Sequence, residues 1–135
     1  MSEDKFIGRT IAGYRPLQHV GEGGTATVYK AEHPERGQVA LKVLRAKLAQ
    51  DPVAIKRFLR EAEFGTRVNH PNMVRTYDYG HTDELYYLAM EWVDGRSLAT
   101  LTRDPSCTLS QRLEILEAIA DALAYAHAHG VIHRD

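Results

Sequence analysis

Three glycines lie close together near the start of the chain, in the segment Gly21–Gly24. The residues that follow, Thr25–Tyr29, are β-branched or aromatic except for Ala26, and they predict a strand. Glycine lets a backbone come close to a bulky group, and a glycine hairpin tip can offer its N–H groups to phosphate oxygens. A plain hairpin turn is the alternative, because short glycine patterns also occur by chance.

Two other phosphate-binding patterns do not fit this segment. A Walker loop needs Gly-Lys followed by Ser or Thr at the start of a helix, and no lysine follows the glycines directly here. A dinucleotide-binding fingerprint also continues into a helix, whereas Thr25–Tyr29 predicts a strand. The segment is therefore interpreted as a hairpin, with phosphate binding and a simple turn both open.

A single lysine, Lys42, lies inside the otherwise apolar run Val39–Leu44. Its simplest interpretation is a surface lysine on an edge strand. The apolar neighbours on both sides argue against that, since a lone charge among apolar groups needs a partner. Lys42 is therefore a candidate functional residue.

The elements that must position these residues follow a simple order. Asp51 is a good helix N-cap and Pro52 a good first helical residue, and apolar side chains at helical spacing continue from there to a turn at Asn69–Asn72. Strands are predicted before and after this helix, at Tyr14–Val20, Thr25–Ala31, Gln38–Leu44, Met73–Tyr79 and Leu85–Trp92. Five strands with one inserted helix predict an antiparallel sheet packed by a helix, which is an α+β fold.

Later segments predict turns and helices. A polar turn is expected at Gly80–Glu84, and Ser97 is expected to cap a short helix. A long helix is predicted over Ser110–His129, with Gly130 as its stop. This helix is apolar around most of its circumference, which is typical of a helix buried among other elements. We therefore expect the chain to be part of a larger domain.

The composition excludes several classes of function. The chain has 17 basic and 18 acidic residues in 135, so no basic excess points to a nucleic-acid partner. Cys107 is the single cysteine, which excludes an intrachain disulfide and favours a reducing, cytoplasmic compartment. No secretory signal and no apolar run long enough to span a bilayer is present. His127 and His129 are two apart on a predicted helix and diverge, so no metal site is expected there.

The order of several motifs resembles the protein kinase family from its glycine loop to the start of its catalytic loop. The motifs are Gly21-x-Gly23-x-x-Ala26-x-Val28, Val39-Ala40-Leu41-Lys42, Glu61 within RFLREAE, LAMEWVDG at 88–95, and His133-Arg134-Asp135. In detail, GEGGTATVYKAEH, NHPNMV and MEWVDGRSL look like bacterial serine/threonine kinases of the eukaryotic-like type. The resemblance covers about residues 10–135. It implies a lead-in at 1–13, a kinase-like small lobe and hinge at 14–93, and the first helices of the large lobe at 94–135.

The resemblance also implies the catalytic roles. Lys42 would hold the α and β phosphates of ATP and pair with a glutamate of the inserted helix. Glu61 fits by its position after RFLR, and Glu63 is the nearby rival; since residues two apart on a helix face different directions, only one can reach Lys42. Asp135 would be the catalytic base that accepts the proton of the substrate hydroxyl. A charged chain end without a catalytic role is the alternative for Asp135.

The nucleotide would contact three segments if the resemblance holds. The family's third glycine is Ala26 here, and its methyl group restricts the loop without blocking it. Met90 would be the gatekeeper at the back of the adenine pocket, with the backbone of Glu91 and Val93 hydrogen-bonded to adenine. The complete set of expected nucleotide contacts is Val20, Gly21, Glu22, Gly23, Gly24, Thr25, Ala26, Thr27, Val28, Ala40, Lys42, Met90, Glu91 and Val93.

The function implied by the resemblance is phosphoryl transfer from ATP to a Ser or Thr hydroxyl of a protein substrate. In the family, Mg²⁺ is held by an asparagine after the catalytic aspartate and by the Asp of an Asp-Phe-Gly motif. Neither occurs in these 135 residues, so we expect the chain by itself to be inactive, and a downstream membrane anchor remains open. The alternative is a non-catalytic nucleotide-binding or scaffolding module built on half of a kinase.

Overall fold

The computed structural model describes residues 6–131 of the chain. These residues divide into two compact units. One takes in the part up to Val68 together with Val74–Trp92, and the other takes in Asn69–Met73 together with the part from Val93 onward. Each unit is described below by itself.

The first unit is a five-stranded sheet with one long helix. Its strands are β1 (Arg15–Glu22), β2 (Ala26–His33), β3 (Gly37–Leu44), β4 (Thr76–Thr82) and β5 (Leu85–Glu91). All four pairings are antiparallel, in the order β1-β2-β3-β5-β4. The helix α1 (Pro52–Arg67) lies between β3 and β4 in the chain, preceded by a 3₁₀ turn at Ala46–Leu48. The predicted α+β class and the five-stranded antiparallel sheet are confirmed.

Helix α1 begins where the sequence predicts. The Asp51 side chain accepts hydrogen bonds from the Val53 and Ala54 N–H groups, the former at 3.0 Å, and Pro52 is the first helical residue. Such a cap is worth about 1 kcal/mol of helix stability. Phe58, Ala62 and Gly65 are its buried residues. Their spacing of four and three residues places them on one face of the helix.

Apolar clusters cover both faces of the sheet. Successive side chains of a strand point to opposite faces and therefore join different clusters. On the α1 side, Ala26, Leu44 and Leu88 pack with Phe58 and Ala62 of the helix. The opposite face has its own apolar cluster, formed by Ile11, Tyr14, Tyr29, Ala31, Val39, Leu41, Val43, Tyr87 and Ala89. These two clusters hold the sheet that carries the candidate site.

Part of the predicted lead-in at residues 1–13 packs on the sheet in the second of these clusters. Ile11 is only 2% exposed and exchanges two backbone hydrogen bonds with Tyr14. Phe6 packs against the same cluster. The segment has no strand periodicity because a single tight bridge, and not a strand, brings Ile11 onto the sheet.

The turn predicted at Gly80–Glu84 is present but shorter than predicted, because β4 extends into the first part of this segment. Strand β4 continues to Thr82, and β5 starts at Leu85, so the loop has two residues, Asp83 and Glu84. Both have left-handed backbone angles, φ 48° and 63°, as type I′ hairpins require. Gly80 is paired with Tyr87 across the strands, and a Cβ at Gly80 would lie 2.9 Å from the Tyr87 hydroxyl. This glycine therefore makes room for a tyrosine and does not form a turn.

The second unit contains α2 (Leu98–Thr102) and α3 (Leu109–Ala128). The Ser97 hydroxyl caps α2, as predicted. Helix α3 starts one residue earlier than predicted because Thr108 and Gln111 form a capping box. The helix is followed by Gly130 at φ 78°. Within residues 6–131, no helix combines the length and apolar character needed to cross a bilayer.

Tyr14 makes the stability of the first unit sensitive to alkali. Burial, and then the negative charge of Asp78, raise the pKa of Tyr14 from 10.0 to about 12. An unfolded tyrosine ionises near pH 10 and the folded one resists, so Tyr14 supports folding below pH 10 and loses that effect as pH rises towards 12. We expect urea unfolding of Tyr14→Phe to lose less stability between pH 9 and pH 11 than the wild type does. The exposed Tyr77→Phe is the control, and equal losses in all three proteins would contradict the prediction.

Candidate functional site

The glycine hairpin joins β1 to β2 through a short tip. The Gly23 N–H donates to the Ala26 carbonyl at 2.8 Å, which closes the turn. The N–H groups of Gly24 and Thr25 have no hydrogen-bond partner in the part of the chain that the structure describes. Two backbone donors at the tip are thus available to an anion.

The fold itself does not require the glycines of this hairpin. A Cβ added at Gly21 or Gly24 would meet nothing within 4 Å, and one at Gly23 would meet only the Ala26 carbonyl at 3.7 Å. None of the three has a positive φ. Neither packing nor backbone conformation therefore demands glycine at these positions, and the absence of side chains leaves the hairpin open to close approach.

Ala26 takes the place of the family's third glycine. It is 2% exposed and belongs to the apolar cluster with Leu44, Phe58 and Leu88. The methyl group therefore packs into the core below the hairpin, and only the Ala26 backbone remains for a ligand at the tip.

Arg45 supports the hairpin, although no motif in the sequence points to this residue. Its backbone N–H donates to the Thr25 carbonyl at 2.9 Å, and its guanidinium donates to the Gly23 carbonyl at 3.2 Å. Both bonds use carbonyl groups of the tip. Arg45 thereby fixes the hairpin from the end of β3 without using the N–H groups of Gly24 and Thr25.

Lys42 lies on the α1 face of β3, where sheet register places Val28 and Leu88 directly beside it. Its Nζ contacts Glu61 Oε1 on α1 at 2.8 Å. Glu63 instead pairs with Arg67 on the same helix at 3.3 Å. Glu61, which its position after RFLR favours over Glu63, is thus the glutamate that meets Lys42.

The Lys42–Glu61 pair is too exposed to be a major source of stability. The Lys42 side chain is 24% exposed and that of Glu61 is 59% exposed. Ion pairs in such surroundings contribute about 0–1 kcal/mol to folding. What the pair does provide is a fixed place for the ammonium group on the α1 face of β3, the central strand of the sheet.

Several other expected contact residues share this face. Ala40 pairs with Met90 across β3 and β5, next to the row that contains Val28 and Lys42. Ala40 is 8% exposed and Val28 and Met90 are half-buried. Together they form an apolar strip beside a cation, as a nucleotide base and its phosphates would need.

The remaining expected residues lie at the ends of strands or outside the described part. Glu22 accepts a hydrogen bond from the Thr27 hydroxyl across the hairpin at 3.5 Å, and Val20 is 48% exposed. The Glu91 N–H donates to the Arg75 carbonyl, and Val93, in the second unit, is 61% exposed. Asp135, the expected catalytic base, lies outside the described residues.

The chain matches known proteins along nearly its whole length. The model of the protein kinase domain matches residues 14–135. The chain is 41% identical to the serine/threonine-protein kinase PrkC of Bacillus subtilis over 96% of its length, and 38% identical to the serine/threonine-protein kinase PknJ of Mycobacterium tuberculosis over all of it. It spans only 20% and 23% of these two relatives.

A solved structure agrees with these relatives. The kinase domain of Mycobacterium tuberculosis PknI superposes with a TM-score of 0.78 at 37% identity, over 95% of this chain and 53% of that one. The chain thus corresponds to about half of a kinase domain. With its glycine hairpin and its Lys42–Glu61 pair on the sheet that these proteins share, the chain belongs to the protein kinase family, in the group of bacterial serine/threonine kinases of the eukaryotic-like type.

Proposed function

We propose that this chain supplies the nucleotide-holding part of an ATP-dependent serine/threonine protein kinase. The observation that carries the proposal is the 2.8 Å contact between Lys42 and Glu61, on the strand next to a glycine hairpin with two free N–H groups. A cation fixed beside unpaired backbone donors suits a polyphosphate. Membership of the kinase family supports ATP as the source of that polyphosphate.

Each part of the site has a role in this proposal. Lys42 donates hydrogen bonds to the α- and β-phosphate oxygens, and Glu61 keeps its ammonium group in place. The N–H groups of Gly24 and Thr25 orient the outer phosphates. Val28, Ala40 and Met90 hold the apolar base, and the backbone of Glu91 and Val93 hydrogen-bonds its edge. Phosphoryl transfer asks a protein mainly for such positioning and charge.

The glycine hairpin fits a bound ATP because side chains would fill the space above it. ATP, when bound, supplies the γ-phosphoryl group that is transferred. Mg²⁺ belongs to the proposed reaction, but the two family positions that hold it have no counterpart in these 135 residues. Asp135 is proposed as the base that accepts the proton of the Ser or Thr hydroxyl of a protein substrate. We also propose that the reaction takes place in the cytoplasm, where a free cysteine such as Cys107 stays reduced.

Nucleotide binding by the 135-residue chain tests the proposal. We expect ATP at about 100 times its Kd to stabilise the chain by about 2.7 kcal/mol, seen as a higher unfolding temperature. The Lys42→Met variant should lose most of this shift, and Lys56→Met, which changes an exposed lysine of α1, should keep it. A wild-type chain that ATP does not stabilise would remove the basis of the proposal.

Transfer of labelled phosphate separates the kinase from its non-catalytic alternative. The 135-residue chain should give no transfer above the Lys42→Met background, because it lacks the metal-binding motifs. A protein extended to the length of the PknI kinase domain should phosphorylate serine or threonine in a mixed peptide library. If the extended protein binds ATP and transfers nothing, the scaffolding or nucleotide-binding module is the better description.

A further inference from the structure

Lys30 of β2 and Trp92, which follows β5, form a contact that none of the roles above uses. The Lys30 ammonium lies over the Trp92 ring, 4.9 Å from its centre. Both residues are half-buried and belong to the first unit. A cation at this distance from an indole face is attracted by the negative charge of the ring surface.

The contact links parts of the sheet that are not neighbours. Sheet register places Lys30 beside Ala40, and Ala40 beside Met90. Trp92 comes two residues after Met90, so the Lys30 side chain reaches across the width of β3 to touch it. The Lys30 side chain loses much rotamer freedom when it is held against Trp92. A favourable interaction or a function must offset that loss of entropy.

The segment after β5 is also fixed from its other side. The Glu91 N–H donates to the Arg75 carbonyl at 2.9 Å, and the Glu91 carboxylate accepts from the Arg75 N–H at 3.4 Å. Beyond Trp92, the Val93 N–H has no hydrogen-bond partner within the described range 6–131. The segment is therefore held by the Glu91 backbone and the Trp92 side chain, and the Val93 N–H is left open.

We propose that Lys30 is a positioning residue for recognition of the nucleotide base. By holding the Trp92 ring, it fixes the backbone of Glu91 and Trp92, at the end of the first unit, before the base arrives. A binding segment that is already ordered does not lose that freedom on binding, and the ligand binds more tightly as a result. The inference rests on the proposed function, because it assumes that this backbone contacts a base.

Ligands that contain only part of ATP test this role. Lys30→Met removes the charge and keeps the length of the side chain. We expect it to weaken binding of adenosine and of ATP by the same factor, about 3-fold, which is the size of an exposed cation–π contact. Binding of inorganic tripolyphosphate should not change. Lys30→Arg should restore adenosine binding, since a guanidinium also stacks on an indole face.

Trp92 is the single tryptophan of the chain, so its fluorescence reports on the contact without any ligand. We expect acrylamide to quench Trp92 more strongly in Lys30→Met than in the wild type, with Lys30→Arg close to the wild type. Lys56→Met is the matched control and should change neither quenching nor binding. Unchanged quenching in Lys30→Met, or an equal loss for adenosine and tripolyphosphate, would overturn the positioning role.

The two proposals fail in different ways. If the wild type binds neither ATP nor tripolyphosphate, the proposed nucleotide site is wrong and the role of Lys30 is wrong with it. If the wild type binds ATP and Lys30→Met binds adenosine equally well, only the role of Lys30 is wrong.

Discussion

Replacing Lys42 by methionine should lower phosphoryl transfer by about 10²–10³-fold in a protein extended to the length of the PknI kinase domain. The reason is electrostatic, because the Lys42 ammonium would stabilise negative charge on the phosphate oxygens of ATP. Removing one such fixed donor typically lowers the rate by about 10²–10³-fold. The unfolding temperature should hardly change, because the Lys42–Glu61 pair is partly exposed and contributes about 0–1 kcal/mol to folding. Labelled phosphate transfer and thermal unfolding of the same preparation measure both effects.

The two glutamates of α1 provide a matched control for this prediction. Glu61→Gln removes the charge that holds Lys42, whereas Glu63→Gln removes a charge that pairs with Arg67 on the helix surface. We expect Glu61→Gln to reduce transfer strongly and Glu63→Gln to leave it close to the wild type. Equal activity of the two variants would show that the helix glutamate does not act through Lys42.

Signals that are local in the chain were read correctly from the sequence. Asp51 followed by Pro52 gave the start of α1, and Ser97 gave the start of α2, since a cap acts on N–H groups only two or three residues away. The kinase family is confirmed, and it is recognisable because its motifs combine residue type with order along the chain. The sequence places both Glu61 and Glu63 on the same helix and favours Glu61. The packing of α1 on the sheet shows that Glu61 pairs with Lys42 and that Glu63 pairs with Arg67.

Contacts between distant segments were missed. Arg45 reaches back to the hairpin tip, Lys30 reaches Trp92, and Tyr14 donates to Asp78. Each contact depends on strand register, and a shift of one residue would turn the side chain to the other face. Gly80 shows the same limit: the sequence suggests a turn, whereas the facing Tyr87 is what requires a glycine.

Gly65 is the second position where a facing residue explains a glycine. It is buried in α1, and a Cβ added there would lie 2.0 Å from the Thr76 hydroxyl oxygen and 2.8 Å from the Thr76 Cβ. Helix and strand therefore touch almost backbone to backbone at this point. Glu61 comes four residues earlier on the same helix, so the approach of α1 to β4 also sets where the partner of Lys42 lies.

Gly65→Ala should destabilise the first unit, although alanine is the better helix former by about 1 kcal/mol. The added methyl group has no space beside Thr76, and overfilling of this kind costs about 1–3 kcal/mol. Because α1 must move away from β4 to relieve the overlap, Glu61 should be drawn from Lys42 and nucleotide binding should weaken as well. Urea unfolding and ATP binding of the variant measure these two effects.

A double-mutant cycle separates this overlap from any general effect of the substitution. Thr76→Gly removes the two side-chain atoms that the new methyl group would overlap, at its own cost to β4, and leaves the backbone nitrogen at an ordinary 3.6 Å. In that background Gly65→Ala should become neutral or stabilising, because only its helix propensity remains, and the coupling energy between the two sites should be large for residues in contact. If Gly65→Ala destabilises equally in both backgrounds, Thr76 is not the residue that requires glycine at position 65. The close approach of α1 to β4 would then not be what fixes Glu61 beside Lys42.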